Sequence, residues 1–231
     1  MDRGKCCAAA GRPRDREATK RLLVEAVGRV LARQGFRAVK VNVVAREAGV
    51  DKVLIYRYFD GLPGLVAAFA HSGDFWPESR ELAGGDEQAF MALPFVERLV
   101  VVTRNYLRGL RRRPLTQEIL AWRFMEQNEL TEALDSVRQS VGIRILTLLQ
   151  SNAEVASGGG GKQSLTALLH NNAEAAPGLD ITALYVILGS VINHLGVRGR
   201  TEKYFAGLQL DDERLEAMLE RIIHSLFTNS S

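Results

Sequence analysis

Apolar residues recur three and four positions apart along almost the whole chain, and alternating apolar–polar segments are nearly absent. This periodicity builds helices and leaves little from which a sheet could be made. A first helix is predicted from about Glu17 to Gln34, where Leu22, Leu23, Ala26, Val27, Val30 and Leu31 share a face and Gly35 ends the run. Two short helices within 43–59 follow. Pro63 opens another, ending near Ser72, because proline is tolerated in a first turn. Further helices are expected at about 94–112, 115–126, 130–151, 180–196 and 211–228, with "SGGGGKQS" (157–164) as a flexible linker. The expected fold class is all-α: a basic flexible arm (1–16), a small three-helix domain (17–62) and a larger helical bundle (63–231).

Charge separates the two ends. Residues 1–60 carry 14 Lys/Arg against 7 Asp/Glu, a net +7, while the rest carries 16 against 20, a net −4. A polyanion partner for the first segment alone fits that asymmetry, and so does a solvated basic tail. Cys6 and Cys7 are neighbours and cannot staple a fold, which suits a reducing, cytoplasmic location. No signal peptide is expected, and the most apolar run, "ITALYVILGSVI" (181–192), falls short of the roughly 20 residues of a bilayer span.

The most informative stretch is "VVAREAGVDKVLIYRYF" (43–59). Gly49 supplies a sharp turn between two short helices, and small Ala45 lets them cross closely, the layout of a helix-turn-helix. With Asp51 as the N-cap and about 100° per residue, Ile55 and Phe59 face a core. Val53 and Arg57 then point away from it, with Leu54 and Tyr56 to either side. Apolar side chains on an outward face gain nothing from water. In a major groove they contact thymine methyls, while Tyr and Arg reach phosphates or base edges. Lys52, in the first turn, suits a phosphate. Packing of Val53, Leu54 and Tyr56 on a neighbouring helix is the alternative.

The segment "TKRLLVEAVGRVLARQGFRAVKVNVVAREAGVDKVLIYRYFDGLPGLVAAF" (19–69) resembles the DNA-binding domain of the tetracycline-repressor (TetR) family, through "RQGF", "VAREAGV" and "IYRYF". The resemblance implies a homodimeric, all-helical transcription regulator, most often a repressor, whose C-terminal bundle binds a small ligand and dimerises. It also implies phosphate contacts for Tyr56 and Tyr58, groove positions for Lys52, Val53 and Leu54, and a minor-groove arm containing Arg12 and Arg14. Lys40, Asn42 and Arg57 complete the expected DNA-binding set. Two positions depart from the family pattern. Lys40 stands where Thr or Ser usually caps the first motif helix, and Leu62 stands where a lysine usually precedes the fourth helix.

In the bundle, Phe75, Trp76, Tyr106, Trp122, Phe124, Met125, Asn193 and His194 are the candidates for an apolar ligand cavity, and the aromatics among them could equally fill a core. The last two helices carry a wide apolar stripe and several small residues. Ala183, Ile187, Gly189, Leu215, Leu219, Ile222 and Leu226 are the expected dimer interface, the alternative being an internal hairpin buried within one subunit. "SGGGGK" is not a phosphate loop, because Ala156 and Gln163 stand where that motif needs Gly and Ser or Thr. The four histidines are isolated, so no metal is expected, and neither a cofactor nor a catalytic residue is readable. The expectation is a cytoplasmic, non-enzymatic regulator with double-stranded operator DNA, a small apolar effector and a second copy of itself as partners, and no membrane. The alternative is a helical ligand-binding or protein-interaction module that does not bind DNA.

Overall fold

A computed structural model of the chain describes residues 13–72, 75–149, 179–198, 204–205, 208–209 and 211–228. Arg12, Cys6, Cys7 and the linker 157–164 lie outside these, as do the side chains of Arg14, Phe124 and Met125. The regular structure among the described residues is helical apart from one two-residue ladder, and contacts divide the chain into two units, Met1–Ser72 and Gly73–Ser231.

The first unit contains α1 (Pro13–Gln34), a 3₁₀ turn (Phe36–Ala38), α2 (Val41–Ala48), α3 (Val53–Phe59) and α4 (Leu62–His71). The first helix begins at Pro13, so residues 13–16 of the expected arm are helical; proline's fixed φ suits a first turn. α4 packs on α1 and α3, which carries the unit to residue 72 rather than 62. Its core is built from Leu23, Ala26, Val27 and Val30 of α1, Val44 of α2, Ile55 of α3 and Leu65 of α4. Each buried Leu, Ile or Val contributes about 1.5–3 kcal/mol of apolar transfer. Arg29 of α1 donates to Glu47 of α2 at 2.8 Å. A Cβ on Gly64 would stand 1.8 Å from the Phe59 carbonyl oxygen, so α4 can turn this close to the end of α3 only with glycine there.

The second unit runs through α5 (Ser79–Leu82), α6 (Glu87–Met91), α7 (Phe95–Arg111), α8 (Pro114–Met125), α9 (Glu129–Leu149), α10 (Ile181–Arg198), the antiparallel pair β1 (Tyr204–Phe205) and β2 (Leu208–Gln209), and α11 (Asp212–Thr228). α7 is its centre, packing on α5, α8, α9, α10 and α11. Gly196 brings α10 against Leu110 of α7, where a Cβ would lie 3.1 Å from the leucine Cδ1. α11 is held to α7 by ion pairs: Arg111–Asp212 at 2.8 Å, Arg108–Glu216 at 2.6 Å, Arg104–Glu220 at 4.0 Å and, when the imidazole is protonated, His224–Glu97 at 3.6 Å. Only Ile223 of α11 is fully buried. Among the described residues no single helix is long and apolar enough to cross a membrane.

Candidate nucleic-acid interface and ligand cavity

The turn between α2 and α3 is a Schellman closure: the Val50 amide donates to the Ala45 carbonyl at 3.1 Å and the Gly49 amide to Arg46 at 3.2 Å. Gly49, at φ 69°, holds the left-handed conformation this closure needs. The N-terminus of α3 differs slightly from the expected cap. Lys52 occupies the cap position without a side-chain bond, while the Asp51 carboxylate accepts the Val53 amide at 2.9 Å. A carboxylate here also suits the positive end of the helix dipole. Lys40 opens α2 with no side-chain capping bond, as a lysine must, because an ammonium cannot accept an amide proton.

On α3, Ile55 is fully buried, whereas Val53 and Tyr56 are 59% and 58% exposed. Lys40, Asn42, Lys52 and Arg57 are exposed, and Leu54 and Tyr58 are half-buried. Arg16 lies 5.5 Å from the centre of the Tyr58 ring, a cation–π contact that orients the phenol. Two apolar or aromatic side chains, three cations and an amide thus surround a helix anchored by one buried isoleucine. A surface of that kind can reach phosphates with its cations and base edges with its apolar side chains.

The second unit contains a cavity of about 890 Å³ between α9 and α10, floored by α7 and α8, with Leu215 of α11, an expected interface residue, also in its wall. α10 packs most closely on α7 and α8, and Tyr185 spans from it to α9, donating to the Gly142 carbonyl at 3.0 Å. A Cβ on Gly142 would lie 3.2 Å from the Tyr185 hydroxyl, so the glycine makes room for that bond. Tyr106 of α7 donates to Asn193 Oδ1 at 3.2 Å. Burial raises both phenols above the usual tyrosine range, Tyr185 to about 12 and Tyr106 further, so both are neutral hydrogen-bonding groups at physiological pH. The walls are otherwise mostly apolar, with Leu99, Leu120, Ile145 and Leu188 among them, and Arg123 and Arg138 bring positive charge.

Residues 23–69 match the model of bacterial regulatory proteins, tetR family. Its N-terminal unit thus carries the DNA-binding domain of that family. Solved structures agree in fold across most of the chain. The fatty acid degradation regulator FadR from Bacillus halodurans is 15% identical, with 93% of this chain and 96% of that one covered at a TM-score of 0.54. A TetR family regulator from Marinobacter aquaeolei VT8 is 17% identical, covering 92% and 97% at 0.54. FadR from Bacillus subtilis, solved in complex with stearoyl-CoA, is 14% identical, covering 88% and 96% at 0.53. Curated protein sequences yield no match. The unit carrying α2 and α3 is therefore a tetR-type helix-turn-helix DNA-binding domain, followed by a helical C-terminal unit.

In the C-terminal unit the expected ligand residues divide. Tyr106, Asn193 and His194 line the cavity. Phe75 and Trp76 do not; they are buried in an edge-to-face pair 5.3 Å apart, with the Phe75 carbonyl accepting from Thr116. Trp122 is also absent from the lining, and its indole donates to Glu118 at 2.9 Å. Sequence reasoning missed Tyr185, Gly142, Arg123 and Arg138. The available signals were a lone phenol inside the most apolar helix, and the spacing Arg138, Gly142, Ile145, Leu149 along one face of α9.

The expected interface residues divide as well. Ala183, Ile187 and Ile222 are exposed, and Leu215, Leu219 and Leu226 are half-buried. Gly189 is two positions from Ile187, a rotation of about 200°. Together with Tyr185 and Asn193 it lies on the cavity edge of α10, and a Cβ on it would meet nothing within 4 Å.

Proposed function

We propose that this protein is a transcriptional repressor that grips a palindromic operator as a homodimer and releases it when a small, largely apolar effector occupies the cavity. The observation that carries the DNA reading is α3. Val53 and Tyr56 stand in solvent on a helix anchored by Ile55, with Lys52 and Arg57 beside them. On this reading Val53 and Leu54 meet the groove. Lys40, Asn42, Lys52, Tyr56, Arg57 and Tyr58 hold phosphates or base edges, and Arg12 and Arg14 extend into the minor groove.

Two further features support the rest. Ile187, Met218 and Ile222 are large apolar residues outside the cavity lining and left exposed on α10 and α11, side chains suited to contact with a second copy of the chain. The cavity volume lies within the range of small-molecule sites and its walls are mainly apolar. The effector reading rests on that cavity rather than on the stearoyl-CoA of the Bacillus subtilis protein, since 14% identity carries the fold alone.

The test is a mobility-shift titration on duplex DNA from upstream of the protein's own coding sequence, against a shuffled duplex, at several salt concentrations. Preference for the authentic duplex, with affinity falling steeply as salt rises, is expected from counterion release. Equal, weak binding to both duplexes would favour a protein-interaction role for α3.

A further inference from the structure

We infer that the effector is a monoanionic amphiphile, a carboxylate on an extended apolar body, with its head at Arg138 and its tail along α9 toward Leu149. This rests on the cavity being the effector site and adds the ligand's charge and orientation.

The charge balance of the walls carries the inference. Among the described lining residues the formally charged side chains are Arg123 and Arg138, and no carboxylate is present. The two guanidiniums share one counter-ion that is not part of the lining: Asp135 accepts from Arg123 Nε at 2.7 Å and from Arg138 Nε at 2.8 Å. One positive charge is therefore left over beside a mostly apolar space, and with the Arg123 and Arg138 side chains only 35% and 28% exposed, water compensates it in part. Arg138 spends its Nε on Asp135, and among the described residues its terminal nitrogens have no partner. The amide nitrogen of Asn193 is likewise unpaired there, since its oxygen takes the Tyr106 hydroxyl. These are hydrogen-bond donors, and a carboxylate is acceptor-only. A single anionic head balances the leftover charge, whereas a polyanion or a cation would not.

Geometry orients the head. α9 and α10 run antiparallel with Leu146 beside Ile181 and Tyr185 reaching Gly142. Carried one turn further, that register sets Gly189 opposite Arg138, and the space in front of Gly189 is open. Arg138 is also near enough to the Tyr106 and Tyr185 hydroxyls to favour their ionised forms against the larger effect of burial. From this polar end the α9 wall becomes apolar through Ile145 to Leu149. Eleven residues of helix separate Arg138 from Leu149, about 16 Å at 1.5 Å per residue, the reach of an extended medium-length alkyl chain.

The experiment is calorimetric titration of the full-length protein with decanoate, 1-decanol and decyltrimethylammonium, all below their micelle or solubility limits. Decanoate should bind about tenfold or more tighter than decanol, the usual effect of a hydrogen bond to a charged group, and the cation should not bind. Arg138→Gln should reduce decanoate to the affinity of decanol, Arg138→Lys should keep the preference, and Gly189→Leu should weaken both ligands by filling the space. If the parent protein binds decanol as tightly as decanoate, the anionic head is wrong and the apolar effector site stands. If neither ligand binds, both this inference and the effector cavity fall.

Discussion

Gly189→Ala separates a cavity wall from a helix–helix contact by the sign of its effect. Glycine in a helix interior costs about 1 kcal/mol relative to alanine through backbone entropy. Gly189 lies well inside α10, eight residues from its first residue, Ile181, and nine from its last, Arg198. A glycine kept for close packing would leave its new methyl in a clash, as at Gly64, where the Cβ meets a backbone oxygen at 1.8 Å. At Gly189 the methyl meets nothing within 4 Å. The propensity gain is therefore unopposed, and Gly189→Ala should stabilise the second unit by about 1 kcal/mol. For a unit of this size that is a rise of about 2–4 °C in Tm, readable by differential scanning calorimetry without ligand. Denaturant melts should show the same increment with an unchanged m-value. A fall in Tm, or dissociation of the oligomer, would mean that another helix fills the space in front of Gly189, and its assignment to the cavity would be wrong.

The remaining expectations concern DNA, assembly and pH. Tyr56→Phe should weaken binding to all duplexes alike in anisotropy titrations, whereas Val53→Ala should relax preference at one base position by about 1–3 kcal/mol; parent-like binding by both would remove α3 from the groove. Replacing Ile222 and Leu226 together by Asp should turn a dimer into monomers or aggregates in light scattering, because the charges would be buried without partners, and a well-folded dimer would place the interface elsewhere. Unfolded tyrosine ionises near about pH 10, and burial holds Tyr185 protonated to about 12 and Tyr106 higher. In that window the folded state binds more protons than the unfolded chain, so the stability from these phenols is full below pH 10 and lost as pH rises toward 12. Denaturant midpoints should fall over that interval, and less steeply in a Tyr106→Phe, Tyr185→Phe variant.

Helix positions were legible because their signals are local. The run from Leu22 to Leu31, the glycine at 49 and the proline at 63 each mark an element through its own sequence; the structure differs at element ends and in α5, α6 and the β1–β2 ladder, which are too short to show a period. Pro13 starts α1 four residues before the expected Glu17, because the density of basic residues there reads as an arm while the proline signals a first turn. The outward placement of Val53 and Tyr56 was legible too, since a seven-residue helix with one buried position has a single way to turn. The cavity was not. Phe75 and Trp76 have the composition of a ligand site and fill a core, while Arg138, Gly142, Tyr185 and Gly189 enclose space through the register between α9 and α10. That register is set by packing on α7 and α8, and no local window of sequence contains it.

The same register gives α10 a double role in the proposed mechanism. Tyr185, Gly189 and Asn193 line the cavity, whereas Ala183 and Ile187 are outside its lining and exposed, as are Met218 and Ile222 of α11. An effector and a partner subunit would therefore press on different residues of one helix. Ile223 is the only fully buried residue of α11, so α11 is tied to α7 mainly by ion pairs, in which Glu216 and Arg111 are mostly covered and their partners are open to water. A ligand shifts such an arrangement only by its difference in affinity between two states, commonly about 1–3 kcal/mol, and operator DNA must weaken the ligand by the same factor. The leftover charge at Arg138 is one source of that difference. An anionic head would compensate it in the arrangement that leaves the space before Gly189 open, and any arrangement that narrowed that space would bind it less.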